Sequence, residues 1–308
     1  MAEIPSVAEK YGSKVGEVPV GHGDYVAGGA GGMPFLSFEN PSKRRPMIAG
    51  EVRDSLVGYP ELAAGMFSGR EKDPADWAMM WKEIGADMIF LRLTGTDPSV
   101  GTTTAEDAVR IVKEIDERTR LPIMVHGCGV QEIDHEILPR ICSEVRDTRL
   151  IVSCVEEEDY KRLSAAAMAG GHHVLAFSNL DINLAKQMNI LLSDFGVEKD
   201  NIFMDPLMAP LGMGLDYSYS VNERIRLSAL RGDRMLQVPM VCHTGEAWDV
   251  ADATSDEPGL GDPAHRVAWW EAITAICAMM SGADLLVMRG PSAADMVRVY
   301  AEELAGGS

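Results

Sequence analysis

Between Arg45 and Ala305 the chain repeats one pattern eight times: a short apolar run, a small or polar residue at its end, then an amphipathic helical stretch. The apolar runs fall at 46–52, 87–93, 121–127, 149–154, 173–179, 201–206, 237–243 and 284–289. Helical periodicity follows at 74–84, 105–117, 132–145, 158–169, 183–195, 216–230, 265–280 and 293–304. Strands that alternate with helices pair in parallel, and eight such units close into a (β/α)8 TIM barrel, an α/β fold. Each run is a continuous stretch of Val, Ile, Leu and Met, as a strand buried on both faces requires. Helix boundaries are signalled too. Asp73-Pro74 places an N-cap ahead of a proline at the first helical position, and Thr104 to Asp107 resembles a capping box. Ile84-Gly85-Ala86-Asp87 and Ser281-Gly282-Ala283-Asp284 read as the same helix-to-strand turn. That echo favours one barrel (46–308) behind an N-terminal extension (1–45).

The extension carries GHGDYVAGGAGG at 21–32, flanked by β-like stretches at 17–20 and 33–38. We expect a hairpin covering one end of the barrel. A phosphate-cradling loop would need G-K-[ST] or a strand before and a helix after, and Pro34 with FLSFENP supplies no helix.

A net charge of −19 repels nucleic acid and anionic membrane surfaces. No apolar stretch approaches the length of a bilayer helix, and the start has neither a basic nor an apolar leader region. Five scattered cysteines (Cys128, Cys142, Cys154, Cys242, Cys277) suit a reducing compartment. None forms a C-x-x-C pair, so no iron–sulfur or zinc-ribbon pattern is present. These features predict a cytoplasmic protein.

Barrels of this kind work at the carboxyl ends of their strands. Those ends offer Glu51, Arg53 and Asp54; Arg92, Thr94 and Asp97; His126 and Cys128; Ser153; Ser178 and Asn179; Asp205; His243, Thr244 and Glu246; and Arg289. No lysine is there for a Schiff base, and the first strand has no paired histidines for a metal centre. His126 and His243 read as hydrogen-bonded polar liners ahead of metal ligands with Cys128 or Asp205. Arg92 and Arg289 suit equally an anion site or ion pairs with Glu51 or Asp205. His172 and His173 read as a partly exposed structural pair, and His135 as solvent-facing. Two loops look built for a large ligand or partner: the Met-rich 207–215 and the acidic 244–262, far longer than the usual connection.

Four segments carry a family resemblance: RPMIAGEV, DWAMMW-x3-GADMIFLRLTGTDPS, PIMVHGCG and MSGADLLVMRGP. Together they resemble the small (delta-type) subunits of corrinoid iron–sulfur proteins in the carbon monoxide dehydrogenase/acetyl-CoA synthase system, over about residues 33 to 300. The resemblance implies a TIM barrel that forms half of a heterodimeric methyl carrier in the reductive acetyl-CoA pathway of carbon fixation. The large subunit would hold a four-iron four-sulfur cluster and a cobalamin-type corrinoid, with the corrinoid lying against the top of this barrel. Cobalt would take a methyl group from methyltetrahydrofolate through a separate methyltransferase and deliver it to acetyl-CoA synthase. This chain has no D-x-H-x-x-G corrinoid signature. Its implied task is to cover the corrinoid, with no catalytic residue or metal ligand of its own. By position, the candidate liners are Thr94, Thr102, Thr103, His126, Asn179, Met208, Met213, His243 and Thr244. Two alternatives remain open. One is a pterin-binding methyltransferase with Asp97, Asn179 and Asp205 on the pterin and Glu51 or His126 as proton donor. The other is a barrel that only buttresses the large subunit.

Overall fold

The computed structural model describes residues 8–39 and 44–305. An antiparallel hairpin of β1 (Glu17–Val20) and β2 (Tyr25–Gly28) comes first. Eight parallel strands follow: β3 (Met47–Arg53), β4 (Met88–Arg92), β5 (Ile123–His126), β6 (Ile151–Val155), β7 (His173–Phe177), β8 (Ile202–Asp205), β9 (Val241–His243) and β10 (Leu285–Met288). The helices are α1 (Glu61–Ala64), α2 (Pro74–Ile84), α3 (Ala105–Thr119), α4 (Gln131–Glu144), α5 (Tyr160–Gly170), α6 (Ile182–Phe195), α7 (Leu215–Leu230), α8 (Ala251–Thr254), α9 (Pro263–Ser281) and α10 (Pro291–Leu304). The strand order is β8-β7-β6-β5-β4-β3-β10-β9. The two end strands meet at a parallel bridge between Met204 and Met240, where Met204 N donates to Pro239 O at 3.0 Å. The barrel is closed there by little more than one contact.

Local chemistry fixes the helix ends. Asp73 accepts the Asp76 N–H at 2.8 Å ahead of Pro74. Thr104 and Asp107 form a reciprocal capping box. Gly85 and Gly282 close α2 and α9 at φ +90° and +119°, a left-handed conformation that favours glycine.

The core has two shells. One lies between the strands and the helices and contains Trp77, Trp81, Val152, Met188 and Ile225. The other fills the barrel with Ala49, Met88, Phe90, Met124, Leu175, Phe203 and Leu285. Val18, Val20 and Ala27 of the hairpin join this inner shell, so the hairpin seals the amino-terminal end. Its second strand is Tyr25–Gly28, inside the glycine-rich stretch. Residues 33–38, expected to supply that strand, are turns leading into a single 3-10 turn.

Two histidine expectations are corrected. His172 and His173 are both buried. His172 accepts the Leu150 N–H (3.2 Å) and donates to Cys142 O (3.2 Å), while His173 donates to Pro19 O (3.1 Å), tying the hairpin to β7. His135 is half-buried rather than solvent-facing, with Nε2 at 3.0 Å from Asp159.

Gly50 lies where β3 passes under α2. A Cβ there would sit 2.1–2.6 Å from ring atoms of Trp81, whose indole N–H donates to Glu51 O at 2.9 Å. Gly50→Ala must therefore push a fully buried indole or bend the strand that carries Glu51. We expect it to cost about 1–3 kcal/mol in urea unfolding, as overpacked cores do. Pairing it with Trp81→Phe should recover part of that loss, and additivity of the two would mean that they do not collide.

Candidate functional site at the barrel mouth

At the carboxyl end of the barrel, charged side chains from neighbouring strands meet in a buried cluster. Glu51 accepts from Arg53 Nε (2.6 Å) and from Arg289 Nε (3.0 Å), and Arg289 Nη1 reaches Asp249 at 3.1 Å. The Tyr59 ring covers both guanidiniums, with centroid distances of 4.9 Å to Arg53 and 5.4 Å to Arg289. Burial alone would raise the pKa of Glu51, but Arg289, then Arg53 and Arg92, outweigh it and hold the carboxyl at about 2. Glu271 enters from α9, accepting from Trp248 Nε1 (2.7 Å), Arg289 N (2.6 Å) and Gly290 N (2.9 Å). Burial lifts it to about 7 in spite of those donors. Between its expected roles, Arg289 is therefore an ion-pair residue. Arg92 differs: its Nε is buried and has no hydrogen-bond partner.

Beside this cluster lie two imidazoles, from the ends of β5 and β9. Phe90 packs under both, at 5.8 Å from His126 and 4.9 Å from His243, and the imidazoles are 6.4 Å apart. His126 Nδ1 pairs with Ser153 Oγ at 2.9 Å. His243 Nε2 lies 3.4 Å from Asp205 Oδ2. Burial and then Arg92 hold both histidines down, His243 to about 4 and His126 well below its ordinary value. Burial raises Asp205 to about 7, opposed by the N–H of Leu207, which it accepts at 2.8 Å. The contact between Asp205 and His243 thus joins two neutral groups more than an ion pair. Burial raises Glu246 as well. Beside Arg92, then, lie two imidazoles held neutral and two carboxyls whose pKa burial raises.

The rim is shaped by the strand-to-helix loops. Asn179, Leu180 and Leu207 adopt positive φ of +39°, +60° and +69°, and Leu180 N donates to Pro206 O at 2.8 Å. Non-glycine residues held in this region are strained, and such strain clusters at functional positions. Trp270 Nε1 donates to Leu211 O (2.6 Å) and Leu211 N donates to Thr274 Oγ1 (3.1 Å), pinning the Met-rich loop to α9. The acidic stretch 244–262 is shaped rather than shapeless. It contains a 3-10 turn (Gly245–Asp249) and α8. Arg266 of α9 donates to backbone oxygens of Asp252, Ala253, Ser255, Leu260 and Gly261.

The expected liners therefore divide by depth. His126, His243, Thr94 and Thr103 are half-buried around the mouth. Thr102, Asn179 and Met213 are exposed at the rim. Met208 and Thr244 lie fully buried beneath, Met208 against Asn222 and Thr244 donating to Val287 O at 3.0 Å. Asp97, offered for a pterin set, accepts from Ser99 N and Ser99 Oγ, both at 2.8 Å. Among the described residues no cluster of three His, Cys, Asp or Glu suits a metal ion. Sequence reasoning missed Tyr59, Trp248 and Glu271. A lone acid inside the apolar run VAWWEAITAICAMM was the one signal for Glu271.

Residues 17–300 match the family described as CO dehydrogenase/acetyl-CoA synthase delta subunit. The chain belongs to this delta-subunit family. It is 33% identical to the acetyl-CoA decarbonylase/synthase complex subunit delta of Methanopyrus kandleri, over 93% of this chain and 72% of the relative. Against the subunit of the same name from Methanothermobacter thermautotrophicus identity is 32%, over 95% of this chain and 76% of that one. Among solved structures, this delta-family barrel resembles the dihydropteroate synthase of Xanthomonas albilineans, with 16% identity and a TM-score of 0.55 over 87% of this chain and 97% of the other. A truncated 3-deoxy-D-arabino-heptulosonate 7-phosphate synthase from Thermotoga maritima gives 11% identity and a TM-score of 0.55 over 95% and 94%. At these identities the likeness is one of fold: both are barrels of this architecture.

Proposed function

We propose that this delta-family barrel is the small subunit of a corrinoid methyl carrier and works as a cover. In this reading its mouth closes over a corrinoid held by a larger subunit that also bears an iron–sulfur cluster. The observation that carries it is the make-up of the mouth: two neutral imidazoles on Phe90, beside a cluster in which buried Glu51 is paired with Arg53 and Arg289. Such a surface fits a flat, mostly apolar macrocycle with amide side groups. It offers aromatic edges, hydroxyls and an amide, and places few unpaired charges against the ring. Cobalt in the bound corrinoid would carry the methyl group between a methyltetrahydrofolate methyltransferase and acetyl-CoA synthase.

The chain's own part is positioning and exclusion. Thr102 and Asn179 stand exposed at the rim, where hydroxyl and amide groups can meet amides, and Met213 adds an adaptable apolar contact. His126 and His243, kept neutral, hydrogen-bond without bringing a charge that would draw water in. The pterin-binding alternative is less well supported. Asp97 is committed to Ser99, and Asp205 to Leu207 and His243.

Capture from native extract with this chain as bait, followed by an absorption spectrum, tests the proposal. A larger chain bearing corrinoid and iron–sulfur absorption is the expected catch. Asn179→Trp and Met213→Asp should each weaken the capture about tenfold, roughly 1.4 kcal/mol. Methyltetrahydrofolate binding to the isolated chain, with no such partner captured, would favour the methyltransferase instead.

A further inference from the structure

Of the three arginines at the barrel mouth, two are committed: Arg53 and Arg289 bond to Glu51, and Arg289 also to Asp249. Arg92 is not. It ends β4, in register with Arg53 on β3 and with His126 on β5. Among the described residues it has neither an ion pair nor a hydrogen bond. Its Nε is buried without a partner, whereas Nη1 and Nη2 are not among the buried atoms, and the residue is partly exposed. Its charge holds down His126 and His243 and bears on Glu246, so the open end of the guanidinium lies among these mouth residues.

A second donor is open beside it. Ser153 Oγ occupies His126 Nδ1 at 2.9 Å, which leaves Nε2 unbonded and not buried. With the hydroxyl donating to Nδ1, the ring proton sits on Nε2 and that nitrogen donates. The acids nearby do not neutralise Arg92. Glu51 is shared by Arg53 and Arg289, and burial works against ionisation of Asp205 and Glu246. Arg53, Arg92 and Arg289 thus face only Glu51 and Asp249 as paired carboxylates, a local excess of positive charge in a chain of net charge −19. If the covering role proposed above holds, the excess matters more. A cover that excludes water would strand Arg92, and a charge sealed off unpaired is costly.

We propose that the mouth is a binding site for one small oxyanion, a carboxylate or phosphate group, held end-on by Arg92 Nη1 and Nη2 with His126 Nε2 as a neutral donor. A guanidinium fork matches two oxygens of such a group, and charge-assisted bonds are roughly twice as strong as neutral ones. The donors all belong to this chain, so the site can fail while the covering role stands.

Titration calorimetry of the full chain with acetate and, separately, with inorganic phosphate tests it. The pH is kept below the pKa of Asp205, about 7, and the ionic strength constant, with acetamide as the uncharged control. Saturable one-to-one binding is expected, with shifts of the His126 and His243 ring signals in nuclear magnetic resonance. The tighter of the two anions identifies the head group. Arg92→Met should weaken binding about tenfold. Arg92→Lys, which keeps the charge but not the fork, and His126→Phe, which keeps a ring on Phe90, should each weaken it about threefold. Arg224→Met removes an exposed cation from α7 and should leave binding unchanged. If Arg92→Met fails to fold, Arg92→Lys and His126→Phe decide, and binding unaffected by both overturns the proposal. So does failure of the unaltered chain to bind either anion, acetamide binding as tightly as acetate, or an equal loss in Arg224→Met and Arg92→Met.

Discussion

Replacing Arg289 by methionine is expected to remove about 3–5 kcal/mol of folding stability, the usual cost of breaking a buried ion pair from one side. The side chain is 1% exposed and lies between Glu51 and Asp249. Methionine is close in length, so the loss is electrostatic more than a matter of volume. Asp249 is 57% exposed and recovers its water, so it contributes little to the change. Glu51 cannot do the same: at 3% exposure it keeps only Arg53 as a bonded partner. The urea midpoint should fall with an unchanged slope. Adding Glu51→Gln should restore a large part of the loss, since the stranded charge is then gone. A loss below about 1 kcal/mol would mean that Arg53 and Arg92 hold Glu51 unaided.

The second large effect concerns pH. Asp205 sits near 7 in the folded chain, whereas an unfolded aspartate ionises near 3.9. A carboxyl raised in this way contributes stability that is complete below about pH 4 and lost as pH rises to about 7. Asp205→Asn has nothing to ionise, and its Oδ1 can still accept the Leu207 N–H. The stability difference between parent and variant should therefore fall by up to roughly 4 kcal/mol between pH 4 and pH 7, at 1.36 kcal/mol per pKa unit. Glu271 pulls the parent's own curve in the same direction. His243, held near 4, pulls the other way, losing stability as pH drops from 6.5 towards 4. Taking the difference against the asparagine variant removes what the other groups share. A flat difference curve would mean that Asp205 is ionised in the folded chain.

Features set by neighbours in sequence were legible in the chain. Asp73-Pro74 and Ile84-Gly85 bound α2 to the residue, because a cap, a proline and a left-handed glycine act within one turn. Strand β9 shows the limit. The apolar run begins at 237, but the strand proper begins only at Val241, preceded by the single bridge at Met240, since Pro239 has no N–H to give a ladder. Of the mouth, the strand-end residues could be read, but not their partners. Arg289 meets Glu51 across 238 positions, because ring closure makes β3 and β10 neighbours. Glu271 was missed for a related reason: it reaches the strand ends from the middle of a helix. Nor does spacing along the chain distinguish Thr244, turned inward, from Asn179, turned out.

The hairpin at the amino end bears on the order in which the molecule is assembled. It is made before every strand of the barrel, yet Gly21 pairs with Arg149, His173 reaches Pro19, and Gly16 donates to Gln237 O. None of those partners exists when Glu17–Gly28 leaves the ribosome. The hairpin must wait for β6, β7 and β9 before it has anywhere to settle. Sealing the barrel floor is thus a late event that depends on contacts between distant parts of the chain. Until it happens, Val18 and Val20 remain in water together with the floor they are meant to cover.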